Sequence, residues 1–287
     1  MLDLRALESA RSAKDAVRLF SEADGRCLYI AGGTIVVHKR GPSTDLLVDL
    51  ISAGLDYIRI AEHGSIRIGA ATRIADLKRS KEISRVGEGV LAEAASSVAN
   101  HTIRNLATIG GNIVSWHFPT DLPAPLLVLD AGLTVFGPEG ERELALSDFF
   151  ARRSEVFTSG DLVAEIRIPS SPDLSAAFEK IGRKRLDVSI VNAAAALAMD
   201  GDTITFARIA TNGLGGLPSR ATDAEAFLAG KSASDGSIRE AARLAVASLG
   251  ARDDHRASAD YRFKIAEVAI RRALERATGV TRSAETQ

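Results

Sequence analysis

Apolar and polar positions alternate on both sides of His63 and Gly64. Ile58, Ile60, Ile66 and Ile68 fall on one face, which predicts a hairpin over residues 57–61 and 65–69. Short apolar runs at residues 27–31, 46–50, 133–136 and 163–168 predict further strands. Elsewhere the spacing is helical. Ser12 with Asp15 can cap a helix that carries Val17 and Phe20 and stops near Gly25. Thr72 is placed to cap a short helix, residues 90–100 are alanine-rich enough for a second, and residues 122–129 predict a third. An irregular stretch is expected at residues 101–107, and Pro138, Glu139 and Gly140 mark a turn.

At Pro169-Ser170-Ser171-Pro172 this pattern is interrupted, and a domain boundary is expected there, with one domain over residues 1–170 and a second over 174–280. Past it, residues 176–181, 188–199 and 203–210 predict three strands, the last two joined by Asp200-Gly201-Asp202. Helices follow at 222–228, 237–249 and 260–277. The last presents a stripe of Phe263, Ala266, Ile270, Leu274 and Ala277. The expected fold class is therefore α+β, with a small antiparallel sheet plus helices at the C-terminal end.

Composition narrows the function. With 36 Lys plus Arg against 37 Asp plus Glu, the chain has no field to gather a polyanion, and nucleic acid is not an expected partner. No run reaches the roughly 18 apolar residues of a membrane span, so a cytoplasmic location is expected. The single cysteine, Cys27, excludes an internal disulfide and any all-cysteine cluster site within the chain. The five histidines show no metal spacing, and there is no Gly-x-Ser-x-Gly elbow. Neither a metal site nor a catalytic side chain is predicted; any chemistry belongs to a cofactor.

Two segments point to that cofactor. "YIAGGTIV" and "ATIGGNIV" each end an apolar run in paired glycines, Gly32-Gly33 and Gly110-Gly111. Such pairs can adopt positive φ and aim consecutive amides at phosphate oxygens, with Thr34, Thr108 and Asn112 as added donors. Downstream, Asp121 suits either a sugar hydroxyl or a helix N-cap, and Lys180 is a strand cation able to reach a phosphate or adenine. Two other glycine patterns fail on context. Residues 87–92 fit a nicotinamide-dinucleotide motif without a preceding strand or a following ribose acid, and Gly230-Lys231-Ser232 has Glu225 where a phosphate loop needs glycine.

In order along the chain, "AGGT", "LLVDL", "IRIGAAT", "ATIGGN", "LPAPLLVLDA", "EIRIP", "FEKIGRKRLDVSIVNAAAAL" and "DHRASADYRFKIAEVAIRRAL" resemble the flavoprotein subunit of the molybdenum hydroxylases, the xanthine dehydrogenase and aerobic carbon monoxide dehydrogenase family. The resemblance implies a two-lobed FAD-binding domain of the vanillyl-alcohol-oxidase (PCMH) type and a small C-terminal domain. It implies that Ala31, Gly32, Gly33, Thr34 and Ile35, with Thr108, Ile109, Gly110, Gly111 and Asn112, wrap the FAD diphosphate. Asp121 would then hold the adenosine ribose, Lys180 would sit near the adenine end, and Val98 and Val163 would line the cofactor. A [2Fe-2S] small subunit would supply electrons and a molybdopterin large subunit would hydroxylate the substrate, in a dimer of heterotrimers; the acceptor would be NAD, a quinone or oxygen. The sequence departs from the family pattern at Ile35 and at Ser115-Trp116-His117-Phe118. A free-standing flavin oxidoreductase of the same fold, or a nucleotide-binding module without redox chemistry, is left open by the residues alone.

Overall fold

The computed structural model describes residues 4–23, 25–38, 44–115, 119–171 and 173–279; Trp116, His117 and Phe118, where the family pattern breaks, lie outside them. The first strand, β1 (Leu4–Ser9), leads into α1 (Ala13–Glu22), β2 (Cys27–Ile30) and β3 (Thr44–Asp49). The strands form a parallel sheet in the order β1-β3-β2. Helix α1 starts where expected: the Ser12 hydroxyl accepts from the Asp15 amide, and Ala13, Ala16 and Val17 are buried.

The isoleucine hairpin is β4 (Ile58–Ile60) and β5 (Ile66–Gly69), with Ile58 opposite Ile68 and Ile60 opposite Ile66. Then come α2 (Ile74–Arg79), a tight turn segment (Ile83–Gly89), α3 (Val90–Ser97), α4 (His101–Leu106), α5 (Ile109–Val114) and α6 (Pro123–Val128). A second hairpin, β6 (Gly132–Gly137) and β7 (Gly140–Ala145), turns at the expected place and precedes α7 (Leu146–Ala151), α8 (Arg153–Val156) and β8 (Leu162–Ile168). Together these strands make an antiparallel sheet ordered β4-β5-β8-β6-β7.

The last part holds β9 (Ser175–Ile181), β10 (Val191–Asp200), β11 (Thr203–Asn212) and β12 (Ser219–Arg220), then α9 (Thr222–Leu228), α10 (Asp235–Ala247) and α11 (Ala259–Ala277). Its sheet is antiparallel in the order β12-β11-β10-β9. Ala193–Ala196 would favour a helix by propensity, yet they sit in the central strand fully buried, with α11 and α6 both packed against it. Small side chains suit a strand covered on both faces.

Two compact units result. The first comprises Met1–Glu82, Ala99–Trp116 and Asp130–Ser170; the second comprises Ile83–Val98, His117–Leu129 and Ser171–Gln287. Helices α3 and α6 thus belong to the packing of the second unit although they precede residue 170.

Three local expectations are corrected. Thr72 does not cap α2, whose N-cap is Arg73; its hydroxyl instead bonds the backbone of Tyr57. Residues 101–106 are helical because the Asn100 side chain accepts from the Ile103 amide, a cap the composition of the stretch conceals. Of the four paired glycines only Gly33 has positive φ, at 68°.

Within the second unit Arg262 is 1% exposed, and its guanidinium donates to the carbonyls of Ile190 and Gly213 and to Asp254. Partial burial opposes ionisation of Asp254, but the Arg256 amide, the Arg256 and Arg262 guanidiniums and the Ala257 amide outweigh it and hold the carboxyl well below the usual carboxylate range. A depressed pKa contributes stability that is full above the unfolded value near ~4 and lost as pH falls below it. Asp254→Asn is expected to flatten the acid limb of stability against pH, measured by urea unfolding at successive pH values.

Candidate functional site

The first glycine loop begins where β2 ends. Gly33 in the left-handed region turns the chain, and the Val37 amide closes back on the Gly33 carbonyl at 3.3 Å. Among the described residues nothing accepts from the amides of Gly32, Gly33, Thr34 or Ile35, all half-buried. Four successive main-chain donors without a protein acceptor are what a diphosphate would satisfy.

Gly32 serves a different end. A Cβ there would lie 1.9 Å from the Leu106 carbonyl oxygen and 3.0 Å from the Cα of Ala107. Its missing side chain lets the first loop rest on the backbone that leads into the second glycine segment. The two segments are neighbours in one unit, and Thr108, 6% exposed, stands next to their contact.

The second segment is built otherwise than the glycine pattern predicts. Thr108 caps α5, accepting from the Gly111 amide at 3.2 Å, so Gly110 and Gly111 are helical instead of forming a nest of positive φ. The Ile109 amide donates to Thr72 at 3.0 Å and the Gly110 amide to Ala70 at 2.9 Å, which commits both to protein. Gly110 is required because a Cβ would approach Ala70 to 2.8 Å. This segment therefore presents the Thr108 hydroxyl and the exposed Gly111 surface; the backbone amides of Ile109, Gly110, Gly111 and Asn112 are all committed to protein.

In the second unit Asp121 is 4% exposed. Its Oδ2 accepts from Lys180 at 2.7 Å and Ser97 at 3.3 Å, and its Oδ1 from Ser189 at 2.5 Å and Asn192 at 3.3 Å. All four acceptor directions are filled. Burial pushes the carboxyl above the usual carboxylate range, against the pull of the Lys180 ammonium and the donated hydrogen bonds. Asp121 does not cap α6, whose N-cap is Leu122 with no side-chain bond. Lys180 points inward, also donating to the Ser97 carbonyl at 2.9 Å.

Asn192 and Asn212 also join this network, which the sequence pattern did not reveal. Lys180, Asn192 and Asn212 lie opposite one another on β9, β10 and β11, and both asparagines donate to the Thr120 carbonyl, at 3.2 and 2.9 Å. This ladder anchors the Thr120-Asp121 segment to the sheet. A polar residue at each matching register position was the available signal. Val98, at the end of α3, and Val163, in β8, are 9% and 3% exposed, so both side chains are buried.

The rejected motifs have structural explanations. Residues 83–89 form the tight turn segment and no strand, and Gly87 adopts φ 50° under Leu129 and Ala176. Gly230 and Lys231 are bonded through backbone to Ile204.

An α+β chain whose sharpest feature is a row of main-chain donors at a glycine turn has the anion-binding geometry that nucleotide-cofactor proteins use. Its residues 4–171 match the model of the FAD-binding domain in molybdopterin dehydrogenase, and residues 176–277 that of the CO dehydrogenase flavoprotein C-terminal domain. The chain is 34% identical over 275 residues to the alpha subunit of the 6-hydroxypseudooxynicotine dehydrogenase complex of Paenarthrobacter nicotinovorans, covering 93% of this chain and 92% of the relative. It is 33% identical to the carbon monoxide dehydrogenase medium chain of Afipia carboxidovorans, covering 93% and 94%. The solved carbon monoxide dehydrogenase of Hydrogenophaga pseudoflava lacking the Mo-pyranopterin moiety superposes with a TM-score of 0.90 at 29% identity, covering 97% of this chain and 99% of that one.

The chain belongs to the family of FAD-binding subunits of the molybdenum hydroxylases. Its cofactor is FAD, and it is an oxidoreductase subunit. Among the described residues no helix is long and apolar enough to cross a membrane, and no cluster of three or more His, Cys, Asp or Glu is placed to hold a metal ion.

Proposed function

We propose that this chain carries electrons out of a molybdenum hydroxylase complex, receiving them from a [2Fe-2S] small subunit and passing them to NAD, a quinone or oxygen, while a molybdopterin large subunit oxidises the substrate. The complex is a dimer of heterotrimers that works in the cytoplasm. Domains over residues 1–170 and 174–280 divide the labour, the first holding the flavin. The observation that carries this reading is the row of amides from Gly32 to Ile35 without acceptors among the described residues, packed against the backbone before Thr108.

Bound FAD supplies the exchange between one-electron and two-electron carriers. The chain's own part is to bind and orient. Amides of residues 32–35, with the Thr34 and Thr108 hydroxyls, Gly111 and Asn112, hold the diphosphate; Ala31, Ile109 and Gly110 fix the backbone behind them. Asp121 and Lys180 act at the adenosine end by holding residues 120–121 in place, and a ribose hydroxyl reaches Asp121 only by displacing one of its two longer donors, Ser97 or Asn192, each at 3.3 Å. Val98 and Val163 contribute packing next to the cofactor. The lone Cys27, buried, leaves cluster ligation to a partner.

Flavin retention tests the site. Gly33→Val forces a branched residue into the left-handed region of the loop and is expected to purify without flavin, as is Gly111→Val. Gly201→Val imposes a comparable strain, at φ 55° in open space within the β10–β11 turn, and should keep its flavin. Equal flavin-to-protein ratios in all three would refute the assignment. Co-purification of iron and molybdenum with the native complex tests the partners.

A further inference from the structure

Thr72 is buried, 1% exposed, and the FAD reading gives it no role. Its hydroxyl accepts from the Tyr57 amide at 3.0 Å and donates to the Tyr57 carbonyl at 2.9 Å, clipping both main-chain polar groups of one residue. A Thr side chain in a loop ordinarily satisfies one neighbour; here it ties residue 72 to the strand-side segment before β4. The same short segment then carries α5. The Thr72 carbonyl accepts from Ile109 and the Ala70 carbonyl from Gly110, while the Ile74 amide returns to the Ala107 carbonyl at 2.9 Å. Ala70 and Ala71 are held in turn by Ala164 and Leu55, at 2.8 and 2.9 Å. The end of α4 and the first turn of α5 therefore hang on residues 70–74, and the hydroxyl of Thr72 fixes the middle of that segment.

We infer that Thr72 is a positioning residue for the cofactor loops: its clip on Tyr57 sets where Thr108 and Gly111 stand relative to the amides of residues 32–35. The inference rests on the reading of residues 31–35 and 108–112 as the diphosphate site. Beyond that hydroxyl the link runs through backbone, and the Gly32 contact with Leu106 and Ala107 leaves the first loop no slack against the second. Loss of the hydroxyl leaves the Tyr57 amide without its acceptor and lets residues 70–74 shift, carrying α5 with them. Thr72 touches no phosphate itself.

The test uses the full chain stripped of flavin and titrated with FAD by fluorescence. Thr72→Val keeps the shape and removes the hydroxyl; FAD binding is expected to weaken about tenfold, and hydrogen exchange at Ile109 and Gly110 to quicken. Thr72→Ser restores the hydroxyl and should bind FAD as the parent does. Ser12→Ala, which removes the cap of α1 in the same unit, serves as a stability control and should leave FAD affinity unchanged. Parental affinity in Thr72→Val, or a tenfold loss in Thr72→Ser, would overturn the inference. Should Thr72→Val not fold, Thr72→Ser alone decides it on the same criterion. Retained flavin in Gly33→Val would instead remove the underlying site, so the two failures are separable.

Discussion

Gly32→Ala is expected to lower the thermal stability of the first unit steeply. The added carbon would stand 1.9 Å from a backbone oxygen, at Leu106, and neither partner is a side chain that can rotate away. Overpacking of this kind costs about 3 kcal/mol or more, a large part of the stability of an ordinary domain. Gly33→Ala offers the contrast. Its Cβ meets only Ile30 and Val37 side chains at 3.4 and 3.6 Å, so its cost is the left-handed conformation, about 1–2 kcal/mol. The two neighbours should therefore separate experimentally: the melting temperature drops steeply for the first, whereas the second remains folded and loses flavin. Similar melting temperatures for both variants would show that the loop does not rest on residues 106–107.

The second large effect is expected at Asp121. Replacing it with alanine leaves the Lys180 ammonium, 11% exposed, with only the Ser97 carbonyl, and strips acceptors from Ser189 and Asn192. Removing one member of a buried ion pair typically costs about 3–5 kcal/mol. Replacing both members, as in Asp121→Leu with Lys180→Met, removes the stranded charge and should recover much of that loss. Urea unfolding of the two single variants and the double variant measures the coupling. Additive losses would mean that the pair is not the centre of the network.

The sequence made legible those features with a short-range cause. Alternating isoleucines fixed the β4–β5 register, Ser12 announced α1, and the stripe through Ala266, Ile270 and Leu274 marked the buried face of α11. Features set by tertiary packing were hidden. Strand β1 carries no alternation that a core would impose, being exposed along its whole length, so its parallel pairing with β3 left no trace in hydrophobicity. Paired glycines are ambiguous for the same reason: Gly33 is there for its φ, whereas Gly32 and Gly110 are there because backbone passes within reach of a missing Cβ. Both uses look alike in a string of letters. The asparagines at 192 and 212 and the clip made by Thr72 depend on partners 72, 92 and 15 residues away, a separation no local pattern encodes.

Helices α3 and α6 precede the Pro-Ser-Ser-Pro stretch yet pack with the C-terminal sheet and helices, through Glu93 on Arg276, Val128 on Arg208, and the Thr120-Asp121 segment on Lys180, Asn192 and Asn212. A recombinant exchange of the C-terminal region between relatives at that stretch would sever a core from part of its own wall. Modular swapping in this lineage has to move three pieces of chain together, and a hybrid gene joined at the apparent seam should yield protein that is insoluble rather than merely inactive.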